Sequence, residues 1–199
     1  VVILRLVLSL ALCHVAARAA SADQDPPGET SGGARFERGT VEMSVSGGTS
    51  LPTSIFRAKA DRPLTMASFA IGRVMAGGPG RGNLQLLVDV SPVQVRQPDV
   101  VWGWSVAPLF LRWNFPPMGR ARIFGELSGS LLFTRAPVPA RTTRFNFIDQ
   151  AGFGLRVHQG DTRAWLIGYR FQHVSNAGRV KPNPGANFNF VYLGFSFLR

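Results

Sequence analysis

From residue 36 onward, apolar and polar positions alternate with period two, and no stretch sustains the three-to-four spacing of an amphipathic helix. Eight segments carry the alternation: Gly39 to Ser46, Leu64 to Met75, Asn83 to Ser91, Val101 to Phe115, Arg120 to Thr134, Arg144 to His158, Ala164 to Ser175 and Phe188 to Leu198. In the fifth, Ala121, Ile123, Gly125, Leu127, Gly129, Leu131 and Phe133 share one face, opposite Arg122, Glu126, Ser128, Ser130 and Thr134. The sixth repeats this, with Phe147, Ala151, Phe153, Leu155 and Val157 against Asn146, Gln150, Arg156 and His158. The third sets Leu84, Leu86, Val88 and Val90 against Gln85 and Asp89. The pattern predicts an all-β chain of eight antiparallel strands, several of them long enough to cross a bilayer at a tilt.

Soluble sheets alternate as well, so the environment rests on the rest of the chain. The residues before the strands begin with Arg5, continue through the apolar run Leu6 to Val15 and reach Ala20-Ser21-Ala22, the small-x-small form of a signal peptidase site. Residues 1–22 are therefore expected to be a cleaved signal peptide, because the run is too short to span a membrane as a helix. The polar, turn-rich residues 23–35 are expected to form a flexible leader, with a single barrel domain over 36–199. Cys13 is the only cysteine and falls within the signal, which excludes disulfides, thiolate metal sites and thiol catalysis from the mature chain.

Even alternation, a secretory signal and many aromatic residues together predict a transmembrane β-barrel of the bacterial outer membrane, with apolar residues outward and polar ones inside. A soluble lipocalin-like barrel is the competing architecture. With the amino terminus in the periplasm, the connections after strands two, four and six are short, and those after one, three, five and seven are expected to be longer and external. Glu42, Asp89, Arg112, Glu126, Arg156 and Arg170 are then expected to fill the narrow lumen as paired charges without a pore, with His158 part of this filling or of a periplasmic rim. Trp102, Trp104, Trp113 and Tyr169 are expected at the membrane interface or facing lipid.

The formal charge is +11, and about nine excess positive charges remain once Arg5 and Arg18 leave with the signal. Such a balance suits an anionic membrane surface. A nucleic-acid partner is not expected, given the secretory signal and the lack of any recognisable binding motif. Gly77 to Gly82 lacks the Lys-Ser/Thr of a phosphate loop and reads as a turn.

Candidate chemistry concentrates in His173 to Asn187, reading HVSNAGRVKPNPGAN. On a strand, His173 and Ser175 point to one face, so the imidazole can take the hydroxyl proton and make Ser175 a nucleophile. An HxS triplet alone more often marks an unremarkable strand end. Here, however, the pair continues the odd face of the seventh strand after Trp165, Ile167, Tyr169 and Phe171. A polar pair on such a face is costly unless it has a role or an aqueous edge. Backbone N–H groups near Ala177 and Gly178, or the side-chain amide of Asn183, offer donors for the oxyanion of an attacked ester. For Pro184 and Gly185, plain hairpin chemistry is the better explanation.

The HxSNAG run, the PNxG that follows and a polar position twelve residues after the serine resemble the PagL-type lipid A 3-O-deacylases. The match is tight over His173 to Asn187, and the eight-strand layout agrees over the mature chain. The resemblance implies a serine esterase that removes the ester-linked 3-hydroxyacyl chain from the 3-position of lipid A, using no cofactor or metal. It also implies a site facing the external leaflet, with lipopolysaccharide as substrate and outer-membrane lipid as surroundings; a homodimer is an open option. In that reading Ser175 is the nucleophile, His173 the base and then acid, Asn187 the orienting residue, and Gly178 and Asn183 the oxyanion donors. Arg57, Lys59, Arg62, Arg141, Arg144, Arg179 and Lys181 could attract the lipid A phosphates.

One departure stands out: the family carries a glutamate where this chain has Asn187. An amide can fix the imidazole tautomer but lends the imidazolium no full charge. The alternative is a non-catalytic or catalytically impaired barrel with a structural or surface-interaction role.

Overall fold

The computed structural model describes residues 36–58, 62–77 and 81–199. The expected signal peptide over 1–22, the leader over 23–35 and Lys59 lie outside them. The described chain forms β1 (Val41–Ser50), β2 (Leu64–Gly77), β3 (Asn83–Arg96), β4 (Val100–Asn114), β5 (Ala121–Thr134), β6 (Phe145–Gln159), β7 (Arg163–Ser175) and β8 (Ala186–Leu198), plus a single 3-10 turn over Ile55–Arg57. Each strand pairs antiparallel with the next, and β8 returns to β1, so the sheet closes into an eight-stranded barrel with no free edge.

One end of the barrel carries the connections 51–63, 97–99, 135–144 and 176–185; the other carries 78–82, 115–120 and 160–162. The third connection departs from expectation, since it is a tight link over 97–99 rather than a longer loop. Alternation continues past Ser91, with Val93 and Val95 both 1% exposed on the inner face. Pro92 permits this because the β2–β3 ladder lacks partner pairs between Met66↔Val93 and Phe69↔Val90, where its missing N–H would fall.

The strand parity read from the pattern holds. Phe69, Ile71, Val88, Leu127, Phe153 and Leu193 are exposed on the outer wall, as are Trp102, Trp104 and Trp113. Glu42, Asp89, Arg112, Glu126, Arg156, Arg170 and His158 are buried in the lumen. Arg156 Nη2 reaches Glu42 at 2.7 Å, Arg170 Nε reaches Glu126 at 2.6 Å, and Arg112 bridges the two carboxylates at 3.4 and 3.2 Å. Tyr192 also donates to Glu126 at 2.9 Å.

The lumen is not polar throughout, however. Leu64, Val93, Val95, Leu132, Ile148, Val174 and Phe188 form an apolar cluster, reached by Val138 of the connection 135–144. The segments near that end carry apolar residues at inward as well as outward positions, so the charged layer lies beneath an apolar one. Glu126 compensates two buried guanidinium groups, and removing it leaves Arg112 with Glu42 and Arg170 with no ion-pair partner among the described residues. We expect Glu126→Gln to destabilise the barrel by about 3 to 5 kcal/mol. Urea-induced unfolding in detergent micelles checks this, and an unchanged midpoint would show that the network contributes nothing net.

A bulge shapes the outer wall where the site sits. The β4–β5 register shifts between Val106 and Leu109, around Pro108, so that Pro108 and Leu109 are both exposed in succession. The shift keeps Leu109 and Leu111 outward beside Leu127 of β5.

Candidate active site

β7 ends at Ser175, and its alternation sends Gln172 and Val174 inward and His173 and Ser175 to the outer wall. The register sets four residues side by side across that wall: Gly129 on β5, Asp149 on β6, His173 on β7 and Asn187 on β8. His173 Nδ1 lies 2.6 Å from Asn187 Oδ1, so the histidine and its predicted orienting residue do meet.

The asparagine amide has a defined direction. Its Nδ2 donates to the Phe56 carbonyl at 2.9 Å, and a carbonyl can only accept. Asn187 Oδ1 is thereby left for the imidazole. Since that oxygen also only accepts, the proton of the neutral ring sits on Nδ1 and the free lone pair on Nε2. That tautomer is the one a general base requires.

The segment supplying Phe56 is held against β8 by several bonds. Leu51 N–H donates to the Asn189 carbonyl at 2.7 Å, Asn189 Nδ2 to the Ile55 carbonyl at 2.8 Å, and Tyr169 Oη to Asn189 Oδ1 at 2.6 Å. Phe56 and Arg57 sit at φ 56° and 57°, a left-handed conformation uncommon for such bulky residues. The Phe56 ring meets Phe171 edge-on at 5.7 Å. Nothing in the sequence pattern of 51–58 points to this role.

Ser175 is 8% exposed, and its Oγ accepts a long 3.4 Å contact from the Ala177 N–H. It is not hydrogen-bonded to His173 in this structure, so the two share a face without yet being joined. Only that weak contact must be given up for the hydroxyl to turn toward Nε2.

The turn after Ser175 is organised by Asn176, which is 1% exposed. Its N–H donates to Asn183 Oδ1 at 3.1 Å, its Nδ2 to the Val180 carbonyl at 2.8 Å, and its Oδ1 accepts from Gly178 N–H at 2.9 Å. Ala177 and Gly178 follow at φ 54° and 73°. Of the two predicted oxyanion donors, Asn183 therefore has its oxygen engaged and its NH2 end available. The Gly178 N–H is engaged by Asn176, and an oxyanion would have to share it.

Gly185 does more than turn the chain. At φ 59°, an added Cβ would lie 2.9 Å from His173 Cε1, so the absence of a side chain lets the imidazole approach this backbone closely.

Beside His173 the outer wall is hollowed into a groove of about 410 Å³. Leu109, Leu111, Leu127 and Phe171 line it over Gly129 and Ala151, and Asp149 and His173 stand along its margin. Small residues on β5 and β6 between larger ones on β4 and β7 make an apolar channel in the barrel wall itself, suited to a hydrocarbon chain.

A closed eight-stranded barrel with an apolar outer wall is a barrel of the outer-membrane type, and a histidine, a serine and an asparagine are set into that wall. The chain belongs to the lipid A 3-O-deacylase (PagL) family, whose model matches residues 79–196. Its fold is similar to the crystal structure of the outer membrane enzyme PagL, with a TM-score of 0.60 and 17% identity over 77% of this chain and 97% of that one. It is also similar to the N-terminal β-barrel domain of Pseudomonas aeruginosa OprF, with a TM-score of 0.55 and 13% identity over 81% of this chain and 98% of that one. No curated protein matches the sequence.

Proposed function

We propose that this chain is a serine esterase of the outer membrane that removes the ester-linked 3-hydroxyacyl chain from the 3-position of lipid A, working from the external leaflet. The observation that carries the reading is the 2.6 Å contact between His173 Nδ1 and Asn187 Oδ1 at the margin of the apolar groove. It leaves Nε2 as a base on the face where an acyl chain would lie.

In the reaction, Ser175 Oγ attacks the ester carbonyl as His173 Nε2 takes its proton. The oxyanion of the tetrahedral intermediate is held by the Asn183 amide and backbone N–H groups around Ala177 and Gly178. Collapse breaks the bond to the sugar oxygen, which receives the proton from His173 and leaves as an alcohol. Water, deprotonated by the same imidazole, then attacks the acyl-serine, releases the 3-hydroxy acid and returns the proton to Ser175. The balance is one ester and one water to one alcohol and one acid.

The acyl chain rests along Leu127, Ala151 and Phe171 while the anionic headgroup meets Arg57, Arg179 and Lys181 near the site. Lipid A extracted from cells producing the chain should lose the mass of one 3-hydroxyacyl group relative to cells lacking it. An unchanged acyl pattern with folded barrel in the outer membrane would refute the substrate assignment.

The same assay reads Gly185. We expect Gly185→Ala, which crowds the imidazole, to lower turnover about a hundredfold while the barrel stays folded, since small displacements of a catalytic group are that costly. Turnover equal to wild type would mean that the ring does not need its present seat.

A further inference from the structure

We propose that Asp149 supplies the negative charge that Asn187 lacks, acting as a positioning residue that stabilises the imidazolium of His173 while it holds the Ser175 proton. Asp149 is the register partner of His173 on the strand opposite Asn187, so along one face of the wall His173 stands between a residue that carries a carboxylate and one that carries an amide. Cross-strand neighbours in such a ladder have Cβ atoms about 4.5 to 5.5 Å apart, so a side-chain rotation brings the exposed carboxylate to the imidazole.

The placement of Asp149 has no other evident purpose. Its outward neighbours on β6 are Phe147, Ala151, Phe153 and Leu155, and a carboxylate among them is costly unless it serves a function. No described residue forms an ion pair or hydrogen bond with its side chain. On its β5 side stands Gly129, with Asp149 Oδ1 3.8 Å from where a Cβ would be, so no β5 side chain covers the carboxylate. Both Asp149 and His173 line the same groove.

Among the described residues, the other elements around His173 offer no second anion. β8 presents Asn187 and Asn189, the segment 55–57 presents Arg57, and the connection 176–185 presents Arg179 and Lys181, the guanidinium of Arg179 lying 5.0 Å from the Phe145 ring. With cations in the adjoining loops and an amide as its hydrogen-bond partner, an imidazolium here depends on Asp149 for countercharge. Orientation and charge balance of the imidazole are thus divided between two residues on opposite strands.

The inference rests on the hydrolase reading above, and the test separates the two. Wild type, Asp149→Asn and Asp149→Glu are compared in micelles for the rate at which a fluorophosphonate labels Ser175, and for kcat and KM on lipid A. The proposal expects Asp149→Asn to slow labelling and lower kcat about tenfold with KM little changed, and Asp149→Glu to recover much of both. If wild type and Asp149→Asn label at equal rates, the inference is overturned and the hydrolase reading stands. The same follows if only KM for the hydroxyacyl substrate moves, which would make Asp149 a reader of the substrate hydroxyl. If the wild type itself takes no label, both fall. Heat modifiability on gels confirms that each variant is folded.

Discussion

Ser175→Ala and His173→Ala are each expected to lower lipid A deacylation by about ten-thousandfold or more, and the double variant by no more than either alone. On the proposed mechanism the two side chains act as one unit: without Nε2 the hydroxyl is a poor nucleophile, and without the hydroxyl the base has no proton to take. Each single loss therefore removes the whole covalent route, leaving what the oxyanion donors and the groove supply by positioning. The observed geometry makes the comparison informative, because Ser175 Oγ contacts the Ala177 N–H and not the imidazole. If the two losses instead multiplied, the residues would be acting independently and the dyad would be wrong. The measurement is kcat for each variant, with gel mobility before heating to verify the barrel.

The second large effect concerns Asn187. Asn187→Leu should reduce kcat by about a thousandfold with the barrel intact, because the ring loses the acceptor that fixes Nδ1–H and can turn. Asn187→Asp is the more discriminating change. A carboxylate still accepts from the imidazole, but its other oxygen would face the Phe56 carbonyl where an NH2 now donates at 2.9 Å. We expect this variant to be no faster than wild type, and the segment around Phe56 to become more accessible to protease. A large gain in kcat with Phe56 still protected would show that the asparagine is a handicap tolerated by the fold and not a fitted part. Asn187 thus belongs to a matched set with Phe56, and a change to a carboxylate tests the pair and not the residue alone.

The barrel is legible in the sequence because a wall one residue thick between lipid and lumen writes its two sides into alternate positions. Glu42, Arg112, Glu126, Arg156 and Arg170 declare the inner side and Leu127, Phe153 and Leu193 the outer. The end of β3 is obscured for a local reason: Pro92 reads as a break, whereas the ladder leaves a gap that accommodates it. His173, Ser175 and Asn187 are legible from the motif that carries them, and the folded chain joins the first and last directly.

What the pattern does not expose lies in contacts between distant segments. Phe56 is 131 positions from the asparagine it orients, and no periodicity links them. Gly185 reads as a turn residue because its contact with an imidazole exists only after folding. Asp149 leaves the clearest trace. The apolar face of the sixth strand runs Phe147, Ala151, Phe153, and the position skipped between the first two is the aspartate. A charge that interrupts a lipid-facing row is itself a signal carried by the sequence, and the register explains it by placing His173 alongside.

The bond from Asn187 to the Phe56 carbonyl spans the seam where the first and last strands meet, since Phe56 follows β1 and Asn187 opens β8. A sheet still open at that seam can form every other strand pair and yet leave the asparagine amide free to rotate, with the imidazole proton unassigned. On the proposed mechanism, the basicity of His173 Nε2 is therefore expected to depend on the sealed cylinder and not on β7 alone. A reagent that measures Ser175 reactivity would then double as a gauge of whether the wall has closed.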